Sequence, residues 1–400
     1  MASQEHGGLS ARGVMFLADA GHRHFHDVLD DIYQPEHNPD GILSLGLAEN
    51  SLMHNELLQY INDTFKMSSH YLMYGDGSSG SKRLRAAIAH FVNRHFNPVL
   101  PVESSHVHVT LGVSNANEML AFVLGCPGDG FLLGRPYYGA FAGDFGRCYS
   151  RDVIIALMKL CQKHRIHLVS DEIYALSVWD NPEARDAPTF TSVLSIDTTG
   201  IIDPSLVHDM WGMSKDFGAN GLRIGCIISQ HNPTFRESRK SGSATPADRK
   251  RSLIHNAKQA GQLPLRPADQ IAAAILEDDA FTDAYVATNR ARIAESRAVA
   301  AAWLRRMRVP YAPAANAGFV LWVDLRAGLA GEGAGAGGAY DHELLKRLMR
   351  EGRVSVSDAL AFGGEEEGWF RIVFTHPRAF VEMGLQRLEG VLEAYRSAKA

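Results

Sequence analysis

The sequence predicts an α/β protein of two domains, a large one on a covered, mostly parallel sheet and a smaller α+β one behind it. Three observations predict it. Helix and strand patterns alternate from 82 to 229, and the strand patterns are near-continuously apolar, as strands covered on both faces are. A polar, basic, proline-containing stretch at 231–268 then interrupts the alternation, and a different order of elements follows it. At 400 residues, and about 150 per domain, two to three domains with a sizeable core are expected.

In chain order, residues 1–50 read as an arm, because the first 40 are polar and His-rich with sparse apolar positions. The large domain is expected over 51–270. Apolar residues at helical spacing predict helices at 56–65 and at 82–96, the second carrying Leu84, Ile88, Phe91 and Val92 on one face. A strand at 106–111, a helix at 115–124, a strand at 130–133, a helix at 151–164 and a buried strand at 166–170 follow, with further strands at 206–212 and 222–229. The small domain, 271–400, takes one long helix at 268–306, a strand at 318–325, a helix at 341–351, a strand at 369–375 and a last helix.

Composition excludes several classes of function. Acidic residues number 45 against 40 basic ones, a net charge of −5, so no basic face is expected to draw the chain onto nucleic acid or an anionic membrane. No apolar run approaches the roughly 20 residues that cross a bilayer, and the start MASQEHGGLS lacks a basic segment followed by an apolar one. Four cysteines without C-x-x-C spacing fit a reducing compartment, and the protein is read as cytoplasmic.

Two motif matches carry little. His22, His24 and His26 alternate, but no H-E-x-x-H pattern or carboxylate constellation accompanies them, so they read as a polar arm and no metal is expected. Gly333, Gly335 and Gly338 spell G-x-G-x-x-G inside a Gly/Ala-rich run too far past its strand for a pyrophosphate turn, and read as a surface loop.

The informative residues lie in HLVSDEIY at 167–174 and WGMSKDFGANGLRIG at 211–225. Asp171 and Tyr174 follow a strand, where open α/β sheets build their sites. Lys215 sits on a turn between two apolar strands, with Gly218, Gly221 and Gly225 nearby and Arg223 eight residues on. Alone, Asp171 could cap a helix, Lys215 could be solvated and Arg223 could pair on the surface. Together they supply an amine that can become a nucleophile, a buried acid, a phenol and a guanidinium for phosphate, the groups a pyridoxal phosphate site requires.

With GLAEN at 46–50, YGDGSSGSKRLR at 74–85, GVSNANE at 112–118, PGDGFLLGRPYYGAF at 127–141 and GWFRIVF at 368–374, these motifs resemble the fold-type I pyridoxal-phosphate enzymes of the class I/II aminotransferase superfamily. The chain is most similar to the 1-aminocyclopropane-1-carboxylate synthase-like branch in its filamentous-fungal form. The resemblance runs from about 41 to 388 and implies a three-layer α/β/α large domain, the cofactor pyridoxal 5′-phosphate, an α-amino acid substrate and a homodimer with shared active sites. It implies that Lys215 takes up the cofactor aldehyde and later shuttles the Cα proton, that Asp171 sits against the pyridine nitrogen, and that Tyr174 bonds the ring 3-oxygen. Tyr137 would stack on the ring. Backbone N–H groups of Ser114, Asn115 and Ala116 would meet the phosphate, with Arg223 and, from the neighbouring subunit, Tyr74. Arg371 would clamp the substrate carboxylate with its planar fork, and Glu49 belongs to the substrate side.

Three departures from that family qualify the resemblance. Gly212 stands where a phosphate-binding serine is usual, and Gly77 stands where cyclopropane-forming synthases carry a second tyrosine. Between Phe145 and Gly146 some 50 to 70 residues of the family pattern are missing, including an N-P-x-N-P turn whose asparagine bonds the ring oxygen opposite the tyrosine. A break this sharp between matched flanks resembles a skipped exon or a faulty gene model. Transamination, in a secondary-metabolite pathway, is the first reading. Elimination from the β or γ carbon (cyclopropane formation or C–S cleavage) and a truncated, catalytically impaired homologue are the alternatives.

Overall fold

The computed structural model describes residues 28–76, 79–126, 128–134, 148–232, 266–329 and 340–399. Tyr137, Gly77, the junction at 145–146, the histidine triplet, the Gly/Ala run and most of the 231–268 stretch lie outside these residues. In chain order the elements are β1 (Leu43–Ser44), α1 (His54–Thr64), α2 (Lys82–His95), β2 (Val107–Leu111), α3 (Val113–Leu124), α4 (Arg151–His164), β3 (Leu168–Asp171), β4 (Val207–Gly212), α5 (Met213–Asp216) and β5 (Ile224–Ile228). Then come α6 (Arg266–Glu277), α7 (Asp279–Arg306), β6 (Val320–Asp324), α8 (Leu325–Leu329), α9 (His342–Glu351), β7 (Val354–Ser355), β8 (Ser357–Asp358), β9 (Trp369–Val373) and α10 (Arg378–Lys399).

The central sheet has the order β2-β5-β4-β3 among the described residues. β3 pairs parallel with β4, and β5 pairs antiparallel with both β4 and β2, so β2, β3 and β4 all point one way and β5 alone is reversed. The expected mostly parallel sheet holds in that sense. Alternation along the strands separates the two faces. Val107, Val109, Trp211, Cys226 and Ile228 face one large apolar cluster with α2 and α6, whereas Met210 and Ile227 face a small one under α3. A second large cluster gathers Leu43 and Leu45 of the expected arm with the sheet β6-β9-β8, α9 and α10. Helix α7 serves both large clusters, Tyr285 and Val286 in the first, Ile293, Ala300 and Leu304 in the second.

Three expectations need correction. Residues 130–133 form no strand; Leu132 is 81 % exposed, and no described strand lies beside it to satisfy its backbone. The long helix expected at 268–306 is two helices, because Asp278 leaves helical geometry and its carboxylate caps α7 by accepting from Phe281 N at 2.9 Å. The strand expected to be buried at 166–170 is only half-buried as β3, being the last strand of the described sheet with a neighbour on one side.

Candidate active site

Strand direction gathers the chemistry. Since β2, β3 and β4 run together and β5 runs back, the ends of the first three and the start of the fourth share one sheet edge, with Leu111 opposite Ile224, Gly212 opposite Gly225 and Asp171 opposite Met210. Asp171, the first turn of α3, Lys215 and Arg223 therefore stand along one edge, as open α/β sheets arrange their sites.

The backbones crowd there. Gly112 enters α3 at φ 77°, and a Cβ on it would meet Arg223 Nη2 at 2.4 Å, so the guanidinium lies directly over the helix start. Arg223 Nη1 donates to Asn220 O at 2.8 Å and keeps the group in place. Gly212 backs onto Gly225, where a Cβ would come within 2.7 Å of Ile224 O. A serine at 212 would have no room in this packing. In α3, Ser114 is exposed while Asn115 and Ala116 are buried, and Asn115 Oδ1 accepts from Leu111 N at 3.2 Å. Ala116 N donates to Gly112 O at 3.3 Å, closing the first turn of α3.

Lys215 is half-buried on α5. Its Nζ donates to Ala48 O and lies 5.8 Å from the centre of the Tyr174 ring. Tyr174 rests edge-on against Phe319, ring centres 5.0 Å apart. Glu49 Oε1 accepts from Asn220 Nδ2 at 2.7 Å, so GLAEN packs on both ends of the Lys215 turn. The same segment reaches the second cluster. Thr375 Oγ1 donates to Glu49 O at 2.6 Å and Val373 N to Leu45 O at 2.7 Å, joining it to the end of β9. Arg371 lies on that strand, 1 % exposed, its guanidinium 3.8 Å over the Phe362 ring.

Two sequence-derived residues stand apart. Asp171 is exposed, not the buried acid expected, because β3 is the edge of the described sheet. Tyr74 is 90 % exposed, next to Gly75, which abuts the Arg266 guanidinium of α6.

Three further buried carboxyl groups lie near this edge: Asp216, Glu172 and Asp209. Asp216, next to Lys215, accepts from Leu176 N, Ser177 Oγ and Trp211 Nε1, and burial pushes its pKa up to about 6. Glu172, between Asp171 and Tyr174, accepts from Val193 N at 2.8 Å and Ser170 Oγ at 3.0 Å; burial raises it to about 7. Asp209, buried as well, is raised well above the usual carboxylate range by its burial and by the Glu172 charge. The signal for Asp209 was in the sequence, as a charged residue inside the apolar strand pattern.

An amine, an acid and a phenol beside a guanidinium laid over a helix N-terminus suit a phosphorylated aromatic aldehyde, and the glycine-lined approach at 112 leaves the backbone bare toward it. A separate cavity of about 570 Å³, lined by Asp341, Leu344, Arg347 and Lys399 among others, shares no residue with this edge.

The fold and this edge define a fold-type I pyridoxal-phosphate enzyme. The chain belongs to the family "Aminotransferase class I and II", whose model matches residues 42–149 and 144–388. It is 27 % identical over 406 residues to the "Probable aminotransferase aclI" of Aspergillus oryzae, covering 88 % of this chain and 90 % of that one. With "1-aminocyclopropane-1-carboxylate synthase 4" of Oryza sativa subsp. japonica it is 27 % identical over 446 residues, covering 92 % and 86 %. An aspartate aminotransferase double mutant of Thermus thermophilus has the same fold at a TM-score of 0.69 and 18 % identity, covering 96 % of this chain and 99 % of that one. An aromatic aminotransferase of Pyrococcus horikoshii has it at 0.65 and 17 %, covering 92 % and 98 %. The chain is thus an aminotransferase-like enzyme dependent on pyridoxal phosphate, of a family acting on amino acids. No described helix is long and apolar enough to cross a membrane.

Proposed function

We propose that this protein transaminates an α-amino acid at the edge formed by Lys215, Tyr174, Asp171 and Arg223, as a cytoplasmic homodimer serving a secondary-metabolite pathway. The observation that carries the proposal is the Lys215 amine 5.8 Å from the Tyr174 ring, on a sheet edge shared with Asp171 and the Arg223-covered start of α3. Pyridoxal phosphate, when bound, supplies the electron sink that makes Cα acidic. Lys215 would be the base that takes the Cα proton and returns it. Asp171 would keep the ring nitrogen protonated, and Tyr174 would donate to the ring oxygen. Arg223 and the N–H groups of Ser114, Asn115 and Ala116 would hold the phosphate, with Tyr74 of a second copy, and Tyr137 is assigned to the ring. Arg371 orients the substrate carboxylate, and Glu49 lines the substrate side. The large and small domains, 51–270 and 271–400, are proposed to flank this site.

The test is to titrate the purified protein with pyridoxal phosphate, fix the covalent species with borohydride, and map the labelled peptide. Label on Lys215, with keto acid formed from an amino acid, is expected; label on a different lysine overturns the assignment. A second reading, elimination from the β or γ carbon, is favoured by the equal 27 % identity to a 1-aminocyclopropane-1-carboxylate synthase. It would show a cyclopropane or C–S cleavage product in place of the keto acid. A truncated, impaired homologue is a third, supported by a family match that falls in two stretches meeting at 144–149.

A further inference from the structure

We infer that Asp216 is a positioning residue that fixes the Lys215 amine against Tyr174, an inference that rests on the pyridoxal-phosphate reading above. Asp216 is 1 % exposed, and every contact its carboxylate makes is with a donor. Leu176 N reaches both oxygens at 3.2 Å, Ser177 Oγ donates to Oδ1 at 2.7 Å, and Trp211 Nε1 donates to Oδ2 at 3.0 Å. These donors come from two places that matter. Leu176 and Ser177 continue the segment that carries Asp171 and Tyr174, and Trp211 belongs to β4, which delivers Lys215.

One side chain therefore joins the lysine turn to the segment bearing acid and phenol, with Lys215 the residue immediately before it and Tyr174 two residues before Leu176. The joint is stiff. Trp211 stacks on Phe91 with ring centres 5.0 Å apart, and Tyr285 OH donates to Phe217 O at 2.7 Å just beyond the joint. Arg290 Nε holds Leu176 O at 2.9 Å from the other side, its charge helping to keep Asp216 ionised. Only a carboxylate suits three donors, because it offers two acceptor oxygens and no hydrogen. An asparagine turns an N–H group toward at least one of them. Without the joint, α5, a single turn, keeps the bonds of Asn289 Nδ2 to Asp216 O and of Lys215 Nζ to Ala48 O but loses the side-chain link that sets it against the Tyr174 segment.

The experiment compares two compounds differing at one group. Pyridoxal phosphate carries the aldehyde that Lys215 can capture with loss of water, whereas pyridoxamine phosphate carries an amine there and binds only through ring and phosphate contacts. Affinity for each, and the borohydride-fixed fraction on Lys215, are measured for wild type, Asp216→Asn and the milder Ser177→Ala, in the 400-residue chain and in a form carrying the N-P-x-N-P segment. Asp216→Asn should weaken pyridoxal phosphate binding roughly ten- to a hundredfold, the scale of one or two lost hydrogen bonds to a charged acceptor, with pyridoxamine phosphate within about twofold. Ser177→Ala should show the same selectivity at roughly threefold, and it decides the matter if the asparagine variant does not fold. Equal weakening for both compounds, or none for either, overturns the positioning role. Wild type that captures neither compound in either form overturns the functional reading and this inference with it. A wild type that discriminates, beside variants that discriminate equally, overturns the inference alone.

Discussion

The two halves of the sheet edge are built differently. On the Lys215 side, β4 and β5 are buried at every position, and the turn between them is tied by Asp216 to Leu176 and Ser177 and by Lys215 and Asn220 to the GLAEN segment. On the Asp171 side, β3 is half-exposed, and α4 turns Val153, Leu157 and Leu160 to solvent at helical spacing. The difference teaches where the site's precision resides. Lys215 sits in a packed setting, whereas Arg223 and Ser114 on the same edge are exposed. The strand carrying the acid has one neighbour among the described residues, and the family segment expected between Phe145 and Gly146 is proposed to adjoin it. Burying an apolar side chain is worth about 1.5–3 kcal/mol, so several left exposed amount to a large share of a total stability of about 5–15 kcal/mol.

Restoring that segment is the strongest way to break the contrast. The 400-residue chain should be poorly soluble or bind cofactor weakly with little turnover, whereas the chain carrying N-P-x-N-P should be a soluble, yellow dimer. Soluble yield, cofactor stoichiometry and product are compared side by side. Equal performance of the short chain would show the Asp171 side complete as it stands. Next in size, Lys215→Ala should abolish covalent capture in the lengthened form while leaving pyridoxamine phosphate bound, read by absorbance and mass spectrometry; persistent capture would move the site off the packed side.

Arg371→Lys should cost roughly a hundredfold in kcat/KM for amino acids with cofactor absorbance intact, since an ammonium cannot make two parallel bonds to a carboxylate. Unchanged kinetics would place the carboxylate clamp elsewhere. The smallest effect concerns stability beneath the Asp171 strand. Glu172 keeps its proton up to about pH 7 in the folded chain, against a usual value near 4.5, so folding takes up a proton between those values. The stability attached to it is greatest below about pH 4.5 and is lost as pH rises through about 7. Glu172→Gln, neutral throughout, should therefore lose fewer degrees of Tm than wild type between pH 5 and pH 8. Parallel Tm curves would mean that Glu172 does not keep its proton in the folded chain.

Much of the site was legible because its residues follow strand ends, and strand ends are marked by apolar runs that stop. Lys215 and Arg223 bracket the turn between two such runs, and α3 begins where the 106–111 pattern gives way to helical spacing. Asp216 was quoted within the same motif without a part to play, because nothing local distinguishes a buried acid from a solvated one. Its donors Leu176 and Ser177 lie about forty residues away. The break in the expected helix at 268–306 was missed for the opposite reason. Asp278 is capping-competent, but aspartates also sit on helix surfaces, and only the geometry of the chain turning there distinguishes the two.

Periodicity and motif spacing by themselves determined most of the order of elements, the family resemblance and the candidate residues of the sheet edge, since those depend on neighbours along the chain. Tertiary structure decided the rest. The reversal of β5, which brings Arg223 over Gly112, is a pairing choice between strands more than a hundred residues apart. The exposure of Asp171 follows from its strand's place in the sheet, and the burial of Asp216 and Glu172 from what folds over them. Solvent access and hydrogen-bond partners belong to the packed assembly and have no signature in a local stretch of residues.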